Sequence, residues 1–252
     1  MLLCYALLLI PAGMAWYFRI PVLRRLGIAV IRMTVQLSLV GVALIYLFRW
    51  DLWWLNLLWV LGMIVFAAFS AINNSELNYR RFLWPVLLSL TFSSLSILLF
   101  FNGVLLGLPD VFSAQYLIII GGMLLGNALK GIVVGISDFY RQLRDNRSRY
   151  WYQLAAGASQ GEAVIPFFRD SLKAALNPSI ASMATLGIVF LPGMMTGQII
   201  GGSDPDTAIR YQLAIMVVIF VCIALSVALS VWLSLRKSFD GYGNLRDDVF
   251  RQ

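Results

Sequence analysis

Four short constellations in this 252-residue chain hold side chains able to do more than pack. Arg32 and Gln36 stand one helical turn apart and share a face, as do Asn127 and Lys130 at a spacing of three. Each cation lies in an apolar stretch, where insertion costs about 2.5–3.5 kcal/mol, so it either snorkels to the headgroups or lines a watery path. Asn127 is read equally as an interhelical hydrogen-bonding group or a pathway residue. Leu191-Pro192-Gly193-Met194-Met195-Thr196-Gly197 puts a proline and glycines into another apolar stretch. That pattern makes either a plain kink or a broken helix whose freed carbonyls face a cavity. Met194 and Met195 are packing residues first and soft thioether ligands for Cu(I) a distant second. The fourth constellation is Gly157-Ala158-Ser159-Gln160-Gly161-Glu162: a glycine break, then Ser159 and Glu162 at the spacing of a capping box that starts a new helix.

The missing residue types exclude as much as these suggest. The chain has no histidine, and no Asp or Glu falls within an expected span. A proton relay, a carboxylate metal cage and an intramembrane metalloprotease all need such groups, so no catalytic residue and no resident metal is expected. Gly121 and Gly126 have the gap of a phosphate-binding loop, but Asn127 stands next where that loop needs lysine. The chain therefore carries no nucleotide site of that kind. A retinal protein is excluded too, because the seventh expected span lacks a lysine for a Schiff base.

Composition dictates the elements that must position these groups. With 60% hydrophobic residues, 12% charged residues and a mean hydropathy of +0.83, the chain is an integral membrane protein, all-α and polytopic. Seven spans are expected, at 2–18, 28–48, 52–72, 82–101, 115–136, 182–200 and 211–235. The first is short, but it lacks the basic leader of a signal peptide. Loops 19–27, 73–81, 137–181 and 236–252 hold fifteen basic residues against Arg49 and Arg210 in the alternate set. The bias puts the N-terminus outside and the C-terminus in the cytoplasm. The net charge of +7 is then mostly this bias, answered by anionic membrane lipid, and nucleic acid is not an expected partner. Cys4 and Cys222 lie in different spans, and no disulfide is expected. The chain reads as one transmembrane domain with a cytoplasmic elbow, 138–177, between the fifth and sixth spans and a loose tail, 240–252. Gly122 and Gly126 form a small-xxx-small seam through which another backbone can approach.

The run Gly157-Ala158-Ser159, then Phe167-Phe168-Arg169-Asp170-Ser171-Leu172-Lys173-Ala174-Ala175-Leu176, then the Leu-Pro-Gly-Met-Met block and Asp204-Pro205, resembles the FetB/YbbM family of ABC-transporter permeases. The resemblance extends over nearly the whole chain, Arg32, Gln36, Gly126 and Asn127 included. It implies an iron or metal export permease of the inner (plasma) membrane, with plant relatives linked to aluminium tolerance. It further implies a homodimer that pairs with a separate cytosolic ABC ATPase subunit, which would hold ATP and Mg. Under that resemblance the elbow is where the ATPase docks, through Gly157, Ala158, Ser159, Glu162, Phe167, Arg169 and Asp170. The docking helix is expected to begin at Ser159 and stop near Pro166, with Phe167 as an aromatic anchor. An amphipathic helix lying on the membrane, with Tyr150, Trp151 and Tyr152 at headgroup level, is the structural alternative. Arg32, Gln36, Asn127, Lys130, Pro192, Gly193, Met194 and Met195 form the expected translocation pathway. Lys130 would repel a free metal cation, which favours a chelated metal, an anionic conjugate or a lipid-like solute. A stand-alone channel or secondary carrier lined by Arg32, Asn127 and Lys130 is the alternative function.

Overall fold

The computed structural model describes residues 5–21, 23–240 and 243–250, apart from the side chain of Asp247. Nearly all of them are helical, and they divide into two units, Met1–Asp51 and Leu52–Gln252. In the first unit, α1 (Leu9–Tyr17) precedes the 28-residue α2 (Leu23–Trp50). Tyr5 and Thr34 share a hydrogen bond of 2.9 Å between their hydroxyls. The expected first span begins in residues outside those described, as does Cys4. Its described helix has nine residues, about 14 Å at 1.5 Å per residue, short of the roughly 30 Å of a hydrocarbon core.

The second unit contains α3 (Trp53–Ser75), α4 (Tyr79–Phe100, extended by a π-helical turn at Phe101–Leu105), α5 (Ala114–Asp145), α6 (Arg147–Ala155), α7 (Gln160–Thr185), α8 (Gly193–Ile200) and α9 (Pro205–Ser238). Among the described residues, α2, α3, α4 with its extension, α5 and α9 are long and apolar enough to cross a membrane. The described residues thus make a nearly all-helical, polytopic membrane protein with five helices of spanning length. The two longest, α5 and α9, reach 32 and 34 residues. Local signals explain where α9 begins and ends: Asp204 caps it by accepting from the Thr207 N–H, Pro205 opens it, and Arg236 and Lys237 sit in its last turn. Acid at the start and base at the end both favour the helix dipole.

α5 is the hub of the unit, packed against α3, α4, α7 and α9. Its approach to α9 depends on Gly131 and Gly135, where an added Cβ would lie 2.5 Å from Ile223 Cγ2 and 2.6 Å from Val227 Cγ1. Gly122 and Gly126 do not serve this purpose: a Cβ at Gly122 would meet the Met63 methyl at 3.2 Å, and one at Gly126 nothing within 4 Å. α4 meets α9 along a ladder of small polar residues, Ser89 on Ser230 and Ser93 on Ser226, each pair 2.6 Å apart and fully buried. Tyr140 of α5 completes it by bonding Ser234 and Ser238 at 2.7 Å. Hydroxyls that also bond their own helix's carbonyls can be buried without leaving an orphaned group.

The expected sixth span, 182–200, is not a single helix. α7 ends at Thr185, residues 186–192 are non-helical, and α8 begins at Gly193 behind Pro192. Gly187 takes φ +84° and its N–H donates to the Phe190 carbonyl, closing a turn where the helix would have continued. The expected stop near Pro166 fails in the other direction, because α7 runs through both Pro166 and Pro178 for 26 residues. Each proline costs its helix a hydrogen bond. Ala163, Val164, Phe167, Ser171 and Ala175 nonetheless bury one continuous face, and that packing outweighs the local penalty. Residues 243–250, expected as loose tail, fold back onto the ends of α4, α5 and α9. Residues 241, 242, 251 and 252 of that tail lie outside those described.

Candidate coupling elbow

The elbow is built from two helix ends set back to back. α6 stops in a turn where the Ala158 N–H donates to the Gln153 carbonyl and the Gly157 N–H to Leu154, both at 3.0 Å. With Gly157 at φ +92°, this is a Schellman motif, and it satisfies the last carbonyls of α6. Two residues later Ser159 caps α7. Its Oγ accepts from the Glu162 N–H at 3.3 Å, while the Glu162 carboxylate accepts from the Ser159 N–H at 2.8 Å and from its hydroxyl at 2.7 Å. These bonds hold the Glu162 carboxyl below the usual carboxylate range, the Ser159 hydroxyl contributing most. The expected capping box and glycine turn are therefore both present.

Gly157, Ser159, Glu162, Arg169 and Asp170 are exposed and Ala158 half-buried, so most of the expected docking residues form an accessible surface. Phe167 is different. Its ring is buried, with the Arg149 guanidinium 5.7 Å from its centroid, so it fastens α7 to α6 from inside and offers no outward anchor. An aromatic residue at the fourth position of a buried helical stripe belongs to the core, and the stripe Ala163, Val164, Phe167, Ser171 shows it in retrospect.

The expected pathway residues fall in both units. Arg32 and Gln36 are exposed on α2, in the first unit. Asn127 donates to the Met123 carbonyl of its own helix at 2.8 Å, and Lys130 is exposed. Near them α3 and α5 border an apolar groove of about 500 Å3, lined by Met63, Gly122, Gly126 and Leu129 among others. Gly193 and Met194 line a different cavity, about 510 Å3, with Gln115, Tyr116, Thr207 and Tyr211 at the starts of α5 and α9. Met195 is buried, and Pro192 caps α8 and accepts from the Thr196 hydroxyl. Among the described residues, no group of three or more His, Cys, Asp or Glu could hold a metal ion.

Sequence reasoning missed two features. The serine ladder was visible as Ser226, Ser230, Ser234 and Ser238 at a constant spacing of four, with Ser89 and Ser93 to match. The folded tail left no such trace, because its contacts join residues far apart in the chain, Asn78 and Asp248 among them at 170 positions.

The comparisons with known proteins agree with a membrane protein. The Bacillus subtilis (strain 168) UPF0014 membrane protein YjkA is 33% identical over 201 residues, covering 79% of this chain and 78% of that one. The Escherichia coli (strain K12) probable iron export permease protein FetB is 30% identical over 210 residues, 83% of this chain and 79% of that one. Arabidopsis thaliana protein ALUMINUM SENSITIVE 3 is 32% identical over 192 residues, 75% and 67% of the two chains. No solved structure matches significantly. The sequence pattern of the uncharacterised protein family UPF0014 covers residues 1–239, and the chain belongs to that family.

Proposed function

We propose that this chain is the membrane-spanning permease subunit of an ABC-type transporter, working as a homodimer with separate cytosolic ATPase subunits. The observation that carries the reading is the exposed elbow. It is a rigid helix-turn-helix corner at the end of the second unit where Arg80, Arg81, Arg144, Arg149, Arg236 and Lys237 collect. The chain itself has no phosphate-binding loop. In this reading the basic end faces the cytoplasm, the membrane is the inner (plasma) membrane, and the docking surface is Gly157, Ala158, Ser159, Glu162, Arg169 and Asp170. ATP and Mg bind in the partner, whose closure pushes the elbow and switches the bundle between two openings. The E. coli relative's name supports export of iron. The lack of a metal-ligand cluster among the described residues suits a metal-linked solute as well as a bare ion.

Affinity purification of the chain from its native membrane should bring down an ABC ATPase. Gly157→Val and Glu162→Ala should weaken that association and lower the ATPase activity of the complex. If both variants hold the ATPase as tightly and stimulate it as fully as the parent, the elbow is not the docking site. Solute flux through the purified chain in liposomes without any ATPase would favour a stand-alone carrier instead.

A further inference from the structure

The family pattern ends at Phe239, and the described residues beyond it, 240 and 243–250, make specific contacts with the bundle. After α9 the chain turns sharply: the Asp240 N–H donates to the Asn244 carbonyl, the Asp240 carboxylate accepts from the Asn244 N–H and side-chain amide, and Gly243 sits at φ +79°. An antiparallel bridge then pairs Phe239 with Leu245. From there the segment 243–250 crosses the basic end of the bundle as a strap.

The strap makes contact with four helices in eight residues. At α6, the Tyr150 hydroxyl donates to the Gly243 carbonyl at 2.9 Å, and its ring lies 5.8 Å from that of Phe239. At the start of α4, the Asn78 N–H donates to the Val249 carbonyl at 3.0 Å and Leu77 bridges to Phe250. Arg81 is the junction: its guanidinium pairs with Asp248 and also donates to the Lys237 carbonyl in the last turn of α9 at 2.7 Å. At the end of α5, the Arg144 guanidinium stands 4.4 Å from the Phe250 ring centroid. Val249 and Leu77 are fully buried beneath it.

These contacts leave α6 held on both sides. Arg149 ties it to α7 through the Phe167 ring, and Tyr150 ties it to the strap, which is pinned to α4 by the Arg81–Asp248 pair and to α9 by the Arg246 N–H, which donates to the Ser238 carbonyl at 3.0 Å. With the strap, a displacement of α6 reaches the basic ends of α4 and α9, the two helices joined along the serine ladder.

We propose that residues 243–250 are a coupling strap, with Tyr150, Arg81, Asp248 and Phe250 as positioning residues that transmit movement of the elbow to α4 and α9. This rests on the reading of the elbow as an ATPase docking site. Among the described residues, the strap's bond to α6 is made with the buried Tyr150 and not with an exposed docking residue, so its loss should spare docking and impair transmission.

The test uses the full chain reconstituted in liposomes with its co-purified ATPase. A Met194→Cys variant places a thiol in the cavity at the opposite end of the unit, and its rate of labelling by a membrane-impermeant maleimide is compared with and without ATP. The parent chain serves as the labelling blank. In the Met194→Cys background ATP should change the rate. Adding Tyr150→Phe, Asp248→Asn or Phe250→Ala should leave ATPase binding within about twofold but shrink the ATP-dependent change by roughly five- to tenfold, the scale of an ordinary coupling energy. Asp248→Glu, which keeps the charge for Arg81, should restore most of it, a rescue that a merely folded tail would not show. Strap variants that bind the ATPase normally and retain the full change would overturn the strap while leaving the docking reading intact. Failure of the parent chain to bind an ATPase would overturn both.

Discussion

Glu162 and Ser159 hold each other: the carboxylate takes the serine N–H at 2.8 Å while the serine Oγ takes the glutamate N–H at 3.3 Å. Because these bonds favour the ionised carboxyl, its pKa is lowered in the folded chain. A lowered folded-state pKa gives a contribution to stability that is complete above the ordinary glutamate range and is lost as pH falls through the folded value. Hydrogen-exchange protection factors at Ser159, Gln160 and Glu162 should be flat near neutrality and fall on acidification. Glu162→Gln, which keeps an acceptor without the charge, should remove that acid dependence. An unchanged acid dependence in the glutamine variant would assign it to another group.

Gly157 is the second requirement of the corner. At φ +92°, an L side chain is strained by about 1–2 kcal/mol, although a Cβ there would meet nothing within 4 Å. The cost is therefore conformational rather than steric. Gly157→Ala and Gly157→Val should loosen the corner, Val the more because of its branched Cβ, and Gly157→Asn should be milder than both, because asparagine tolerates the left-handed region. Protection at Gly157 and Ala158, whose N–H groups close the α6 end, reads this directly. A series ordered by side-chain volume alone, with asparagine as harmful as a residue of its size, would contradict a backbone origin.

Gly135 tests the hub. A Cβ there would lie 2.6 Å from Val227 Cγ1 and 3.3 Å from Ala175 Cβ, so α5 would have to move from both α9 and α7. Gly135→Ala should destabilise the bundle by about 1–3 kcal/mol, the usual cost of overpacking. Val227→Ala removes the clashing methyl, so the double variant should be more stable than Gly135→Ala alone, a non-additivity expected of residues in contact. Thermal unfolding of the detergent-solubilised chain checks both. Simple additivity of the two changes would mean that the helices do not meet there as described.

The elbow and the long helices were legible in the sequence because their signals are local. Ser159 and Glu162 are three residues apart, Gly157 precedes them by two, and α3, α4, α5 and α9 are long runs of apolar residues. Pro166 misled for the opposite reason: its penalty is local, whereas the packing of Ala163, Val164, Phe167 and Ser171 that offsets it is tertiary. Phe167 looked like a surface anchor because burial is decided by neighbours such as Arg149, which sequence order does not bring near it. The expected pathway was drawn from charges, amides and a proline–glycine break in apolar stretches, and such local signals carry no information on which helix faces converge. The strap was beyond reach on the same ground, since Arg81 and Asp248 meet across 167 positions.

The ladder between α4 and α9 separates two ways in which small polar residues hold membrane helices together. Ser93 and Ser226 stand 2.6 Å apart, and each also lies 2.6 Å from a carbonyl of its own helix, Ser89 and Cys222 respectively. Each hydroxyl has one proton, so within the pair one serine donates across the gap and the other to its own backbone. Ser226→Ala deletes one partner but leaves Ser93 a carbonyl to donate to, and the loss should be about 0.6 kcal/mol, typical of such bonds in membranes. Ser226→Val adds volume where both neighbours are fully buried, and overpacking of that kind costs about 1–3 kcal/mol. The valine variant should therefore unfold well before the alanine variant. The reverse order would mean that the two helices leave room at this position and do not approach as closely as described.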